Sequence, residues 1–271
     1  MDFAGKVVLI TGASSGIGAA SALRFAKASA KLSIVGRNTE NLIKVAENCE
    51  EENGLKPLSI VADITIEEDV IRIVTETIEH YGKIDVLVNN AGIILMATIQ
   101  DGVEPLDRIM ETNVRGTYML TQRVIPFIEA TKGNIVNVSS VLSTTPLTCV
   151  TPYCMSKAAL DSFTKCLALE LANKGVRVNS VNPGPARTNF FTTAGLSDEH
   201  RDALLAGFAS SLPLKKICEG EDVAELIVYL ASDKASCITG SCIVIDCGIN
   251  LGKVKTLLYK KTYSRIINFD F

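Results

Sequence analysis

Four glycines, Gly54, Gly82, Gly133 and Gly175, each stand a residue or two past a run with helical spacing and just before a short apolar run. This punctuation constrains the fold more than any other feature, because glycine is the natural left-handed stop of a helix. The apolar runs are Lys6 to Ile10, Leu32 to Val35, Leu58 to Ala62, Ile84 to Val88, Ile135 to Val138 and Val176 to Val181, with a last one from Ser241 to Asp246. Short, continuous and rich in valine, they read as strands buried on both faces. Helices are expected from Gly18 to about Ala30, Thr39 to Asn53, Ile66 to Ile78, roughly Pro105 to Ala130, Tyr153 to Gly175 and Glu221 to Ser232. Strands that alternate with helices of this length require an α/β fold: a doubly wound, parallel sheet of seven strands with helices on both faces. No linker or charge block divides the chain, so residues 1–252 are expected to be one domain and 253–271 a tail.

The bulk numbers exclude several classes. A net charge of −3 over 271 residues leaves no basic footprint for nucleic acid. No apolar run reaches the 18 or so residues of a membrane span, and the first residues lack the pattern of a secretory signal. A cytoplasmic protein is the expectation. The eight cysteines show no C-x-x-C spacing and only two histidines accompany them, so free, buried thiols are expected and no metal site.

The first strand runs into Thr11-Gly12-Ala13-Ser14-Ser15-Gly16-Ile17-Gly18, followed by small residues. Strand, glycine turn and helix start is the setting in which backbone N–H groups and a helix dipole hold a phosphate. The second strand ends in Gly36-Arg37. An acidic residue there would bind ribose hydroxyls; a glycine followed by a guanidinium suits a 2′-phosphate instead, with Ser15 adding a hydroxyl. NADP(H) is therefore the expected cofactor. Asp63, after the third strand, is read either as an acceptor for an adenine amino group or as the cap of the next helix. Asn90, Ala91 and Gly92 end the fourth strand, where a doubly wound sheet places ligands.

The fifth strand ends in Ser139-Ser140, and thirteen positions later comes Tyr153, with Lys157 four residues on. Residues four apart share a helix face, so the ammonium of Lys157 is expected beside the Tyr153 phenol, lowering its pKa from about 10. That would make Tyr153 a general acid/base near neutral pH.

Taken together, these residues resemble the short-chain dehydrogenases/reductases, in their branch of about 250 residues with a single Rossmann-like domain. The likeness runs from Lys6 to Gly248 and rests on Thr11-Gly12-x-x-x-Gly16-x-Gly18, Asp63, Asn89-Asn90-Ala91-Gly92, Asn113, Ser140, Tyr153-x-x-x-Lys157 and Pro183-Gly184 with Thr188. The resemblance implies that Tyr153 is the acid/base and that Ser140 hydrogen-bonds the substrate oxygen. It implies that Lys157 lowers the tyrosine pKa and holds the nicotinamide ribose, that Asn113 places a relay water, and that Thr188 holds the carboxamide. Spacing favours Ser140 over Ser139, which should point to the other face of the strand. Homotetramers or homodimers through the two long helices are implied likewise.

The loop from Ser140 to Tyr153 carries Leu142 and Val150 and not one charge; Ile93, Ile94 and Leu95 follow the fourth strand, and Phe190 and Phe191 follow Thr188. Such walls suit a small lipophilic carbonyl or alcohol, steroid-like, terpenoid or acyl, better than a sugar. Leu204, Leu205, Phe208 and Leu212 extend the same segment, where Arg187 is the nearby cation. Cys247 stands where relatives usually have glycine. The expected function is NADP(H)-dependent carbonyl reduction. Its rivals are a 3-oxoacyl thioester reductase, a non-catalytic NADPH-binding regulator and an NAD-dependent dehydrogenase.

Overall fold

The computed structural model of the chain describes residues 1–187 and 198–251; of the side chains of 198–202, 204 and 208 nothing is described. Its core is a seven-stranded parallel sheet. The strands are β1 (Val7–Thr11), β2 (Lys31–Gly36), β3 (Leu58–Val61), β4 (Val86–Asn89), β5 (Asn134–Val138), β6 (Arg177–Pro183) and, after the short pair β7 (Ala186–Arg187) and β8 (Cys218–Glu219), β9 (Cys242–Ile245). They lie in the order β3-β2-β1-β4-β5-β6-β9. The order reverses between β1 and β4, so the carboxyl ends of those two strands flank the crevice where such sheets take their ligands.

Side-chain alternation along the strands sorts the core into two layers. Val8 and Ile10 of β1, with Val86, Val88, Val136 and Val138, face helices α1 (Gly16–Lys27), α2 (Thr39–Asn53) and α8 (Gly220–Ala231). Leu9, Leu87, Ile135 and Val178 face the other way, against α3 (Glu67–Tyr81), α5 (Thr117–Thr131) and α6 (Thr151–Leu171). Burying each such aliphatic side chain contributes roughly 1.5–3 kcal/mol. The doubly wound architecture expected from the sequence is the one observed.

Two local expectations need correction. Gly54, Gly82 and Gly175 do stop their helices in the left-handed region, at φ 72, 76 and 76°. At the end of α5, however, Lys132 takes that conformation (φ 49°), and Gly133 serves close packing, since a Cβ there would overlap the Asp85 carbonyl oxygen. The single long helix expected from Pro105 to Ala130 is three pieces: α4 (Glu104–Met110), a π-helical turn (Glu111–Gly116) and α5. The remaining helix, α7, spans Asp198–Ser211. Among the described residues no helix is long and apolar enough to cross a membrane, and no His/Cys/Asp/Glu group is placed to hold a metal ion.

Candidate active site

The glycine turn between β1 and α1 is shaped by what is missing from it. Gly12 and Gly16 sit at positive φ, 64 and 55°, a conformation that costs other residues strain. A Cβ on Gly12 would come within 2.8 Å of Asn90 Nδ2, and one on Gly18 would overlap the Gly12 carbonyl oxygen. Asn90 ties the turn to β4: its Nδ2 donates to the carbonyls of Thr11 (2.9 Å) and Gly12 (3.1 Å). Thr11 Oγ1 accepts from the N–H of Asn90 (3.1 Å) and Ala91 (3.0 Å). Ser15 is the N-cap of α1 but its side chain makes no capping bond, and no acidic residue occupies the first turn. The helix thus presents N–H groups and its positive end without a carboxylate of its own, the donor set that a dinucleotide's pyrophosphate needs. Ser14 and Ile17 complete the turn, Ser14 lying where a Cβ on Gly36 would meet it at 3.0 Å.

At the end of β2, Arg37 pairs with Asp63 across 3.2 Å, with most of its side chain exposed. Asp63 also accepts from the N–H (3.0 Å) and hydroxyl (2.9 Å) of Thr65. Burial pushes its carboxyl up, but the Thr65 hydrogen bonds and the guanidinium outweigh it and hold the pKa below the ordinary carboxylate value. The N-cap of α3 is Ile66; Asp63 closes the turn before the helix and does not cap it.

The third cluster brings together residues that the sequence separates. Ser140 follows β5 and opens a 3-10 turn, its Oγ accepting from Leu142 N–H (3.1 Å). Tyr153, in the first turn of α6, is buried and hydrogen-bonded to the Ser140 side chain. One turn on, Lys157 Nζ donates to the Val138 carbonyl (2.9 Å) and lies 5.5 Å from the Tyr153 ring centre. Ser139 points elsewhere, its hydroxyl donating to the Lys157 carbonyl (3.1 Å). Asn113 belongs to the π-helical turn and is fully buried. Its Oδ1 accepts from Ile93 N–H (2.8 Å), while Nδ2 donates to the Ile93 carbonyl (2.9 Å) and Ser156 Oγ (3.0 Å). Gly92 leaves room between them: a Cβ there would come within 3.2 Å of Asn113 Oδ1 and 3.6 Å of Lys157 Nζ.

The electrostatics reverse one expectation. The Tyr153 phenol is pushed up, not down: burial dominates, and the Ser140 hydrogen bond opposes it only in part. Burial also pulls Lys157 down to about 8, with Asp161 pushing back. Desolvation therefore dominates at both groups, favouring the neutral form of each.

Beside Tyr153 lies a small apolar cluster of Ile94, Ile109 and Val150, with Leu142, Leu147, Ile93 and Leu95 packed on it. A β-bridge from Ala97 to Val150 joins its two loops. Pro183 ends β6, and Gly184 passes so close to Asp246 that a Cβ would meet its Cα at 2.8 Å. Arg187 pairs with Glu219 across 3.2 Å. Thr188, Phe190, Phe191 and the 253–271 tail lie outside the described residues, as do the side chains of Leu204 and Phe208. All eight cysteines are free, though Cys166 and Cys237 are exposed where burial was expected. Cys247 adopts φ 52°, which explains why a glycine would sit there with less strain. Sequence reasoning missed the buried Asp161, although it repeats the four-residue spacing from Tyr153 to Lys157 once more.

A glycine cradle at the switch point of a doubly wound sheet, beside a buried hydroxyl, phenol and ammonium, defines a dinucleotide-dependent oxidoreductase. Comparison with known proteins makes the class specific. A family model described as enoyl-(acyl carrier protein) reductase matches residues 12–250. A 3-oxoacyl-(acyl-carrier-protein) reductase of Thermotoga maritima is 39% identical over 92% of this chain and 99% of its own. A short-chain dehydrogenase/reductase of unknown function from Caenorhabditis elegans, solved with cofactor, superposes with a TM-score of 0.90 at 34% identity, covering 94% of this chain and 98% of the other. L-Sorbose reductase from Gluconobacter frateurii, complexed with NADPH and L-sorbose, gives 0.85 at 31% identity, with 92% and 98% covered. The chain belongs to the short-chain dehydrogenase/reductase family and is an oxidoreductase acting on CH–OH and C=O groups.

Proposed function

We propose that this protein is an NADP(H)-dependent reductase of neutral, lipophilic ketones. The observation that carries this reading is the apolar cluster of Ile94, Ile109 and Val150, with Leu142 and Leu147, packed against Tyr153 of the buried Ser140–Tyr153–Lys157 group. Burial keeps the Tyr153 phenol protonated at neutral pH, the form that gives a proton to an oxygen gaining negative charge. Ser140 directs its hydroxyl at the same oxygen; a donor so placed is worth about 3 kcal/mol to the transition state. Lys157, as an ammonium, stabilises the phenolate left when Tyr153 releases its proton, so reduction falls as Lys157 loses its charge. Asn113 fixes the Ile93 backbone and Ser156 beside it. Bound nicotinamide would supply the hydride.

For the cofactor, Gly12, Ser14, Ser15, Gly16, Ile17 and Gly18 would hold the pyrophosphate and Asp63 the adenine. Asn90, Ala91, Gly92, Tyr153 and Lys157 would line the nicotinamide ribose, and Pro183, Gly184 and Thr188 the carboxamide. The preference for NADP(H) rests on Arg37, exposed at the end of β2, and on Gly36, which offers no carboxylate to repel a 2′-phosphate. Association through the long helices is supported by exposed apolar side chains on α5 and α6, Tyr118 and Leu169.

A second reading, reduction of 3-oxoacyl thioesters, is favoured by the Thermotoga maritima relative. One assay separates the two: steady-state rates on aryl and alicyclic ketones, a 3-oxoacyl thioester and hexuloses, each with NADPH and NADH. The expected result is at least tenfold higher kcat/KM for hydrophobic ketones and for NADPH. Activity confined to hexuloses, or equal use of both cofactors, would overturn the corresponding half of the reading.

A further inference from the structure

Asp161 is 6% exposed, and a carboxylate seldom enters a protein interior without a partner, since desolvation costs several kcal/mol. Its partners here are neutral. Oδ2 accepts from Asn182 Nδ2 (2.8 Å) and Oδ1 from Ser180 Oγ (3.3 Å), both on β6. The Asn182 amide continues the network: Nδ2, with two hydrogens to share, also lies within hydrogen-bond distance of the Ser140 carbonyl (3.2 Å) and Ser143 Oγ (3.0 Å), and Oδ1 lies 2.8 Å from Ser180 Oγ, whose one proton it shares with Asp161. Tyr153, Lys157 and Asp161 follow one another at intervals of four along α6, on one helix face. The carboxylate is thus joined to the active site twice, by hydrogen bonds to the serine turn and by its charge one helical turn beyond the ammonium.

We propose that Asp161 is a positioning residue of this active site: through Asn182 it fixes the turn that presents Ser140, and its carboxylate stands one helical turn beyond Lys157 as a counter-charge. The proposal rests on the reading of Tyr153 and Lys157 given above. The buried carboxylate is the counter-charge that offsets the desolvation of Lys157. Other titratable groups nearby are Tyr153, Cys154 and Lys165 on α6 and Cys242 on β9. Burial pushes the Cys242 thiol up and Asp161 adds to the rise, so it brings no competing negative charge. From β6 the groups turned to Asp161 are the uncharged Ser180 and Asn182.

The test is the pH profile of kcat/KM for ketone reduction by the full chain. Asp161→Asn keeps the shape and removes the charge. Its alkaline limb is expected to move down by about one pH unit, with kcat at pH 7 reduced about tenfold. An alkaline limb unchanged from wild type would overturn the electrostatic half. Asn182→Ser keeps the charge and releases the turn, and is the second arm should Asp161→Asn not fold. It is expected to lower kcat about tenfold with the limb unmoved; an unchanged kcat would overturn the positional half. Tyr153→Phe, assayed alongside, reports separately on the catalytic reading: if it is inactive while both other variants match wild type, the reading stands and this inference fails.

Discussion

The proposed nucleotide end and the proposed chemical end of this crevice are built on opposite principles. Around the β1–α1 turn the working groups are backbone N–H groups, and side chains are kept away: Gly12 and Gly18 leave no room for a Cβ, and Asn90 is occupied in tying the turn to β4. Around Ser140, Tyr153 and Lys157 the working groups are side chains from a strand end and a helix, and all three are buried. The difference teaches where each region stores its cost. The turn stores it in backbone conformation, which only glycine adopts cheaply. The catalytic cluster stores it in desolvation, which shifts Tyr153 up and Lys157 down to about 8.

The contrast is most easily broken at the turn. Gly18→Ala places a methyl group onto the Gly12 carbonyl oxygen, a backbone atom that cannot rotate away. A loss of about 3 kcal/mol is expected from such overpacking. Thermal melting, with and without NADPH, would show both a lower Tm and at least a hundredfold weaker cofactor binding. Wild-type melting and binding would show that the turn is less rigid than the contacts imply.

Lys157→Met should do the reverse, removing turnover while raising stability. The folded pKa of about 8 lies below the unfolded value of 10.5, so the unfolded chain holds the proton more tightly. A shift of that size corresponds to about 3 kcal/mol, reduced by about 1 kcal/mol for the lost hydrogen bond to Val138. The cost is fully present below about pH 8 and is relieved as pH rises from there to 10.5. A Tm gain of a few degrees at pH 7 that shrinks toward pH 10 is the expected outcome. A variant less stable at every pH would show that the buried ammonium is not a liability.

Most of the fold was legible in the chain because strand burial, helix spacing and glycine stops all pointed the same way. Lys132 and Gly133 escaped, since either residue satisfies the local signal and only the approach of Asp85 decides between them. The π-helical turn around Asn113 also escaped: one extra residue per turn changes the apolar period too little to read. At the site, Ser140 against Ser139 was legible from strand alternation, and the two hydroxyls do point to different partners. The direction of the Tyr153 shift was not, because it depends on how deeply α6 buries the phenol, and helix spacing carries no depth. Asp161 and Asn182 were missed because their meaning lies in a contact between α6 and β6 that no local motif announces.

The central claim, that Tyr153 delivers the proton to a carbonyl oxygen in a site that binds NADPH independently, is tested by one comparison. Tyr153→Phe keeps the ring and its packing and removes only the hydroxyl. NADPH affinity, followed by nicotinamide fluorescence, is expected to stay within about threefold of wild type, while kcat for ketone reduction falls by at least a thousandfold. Turnover retained within tenfold of wild type would contradict the account.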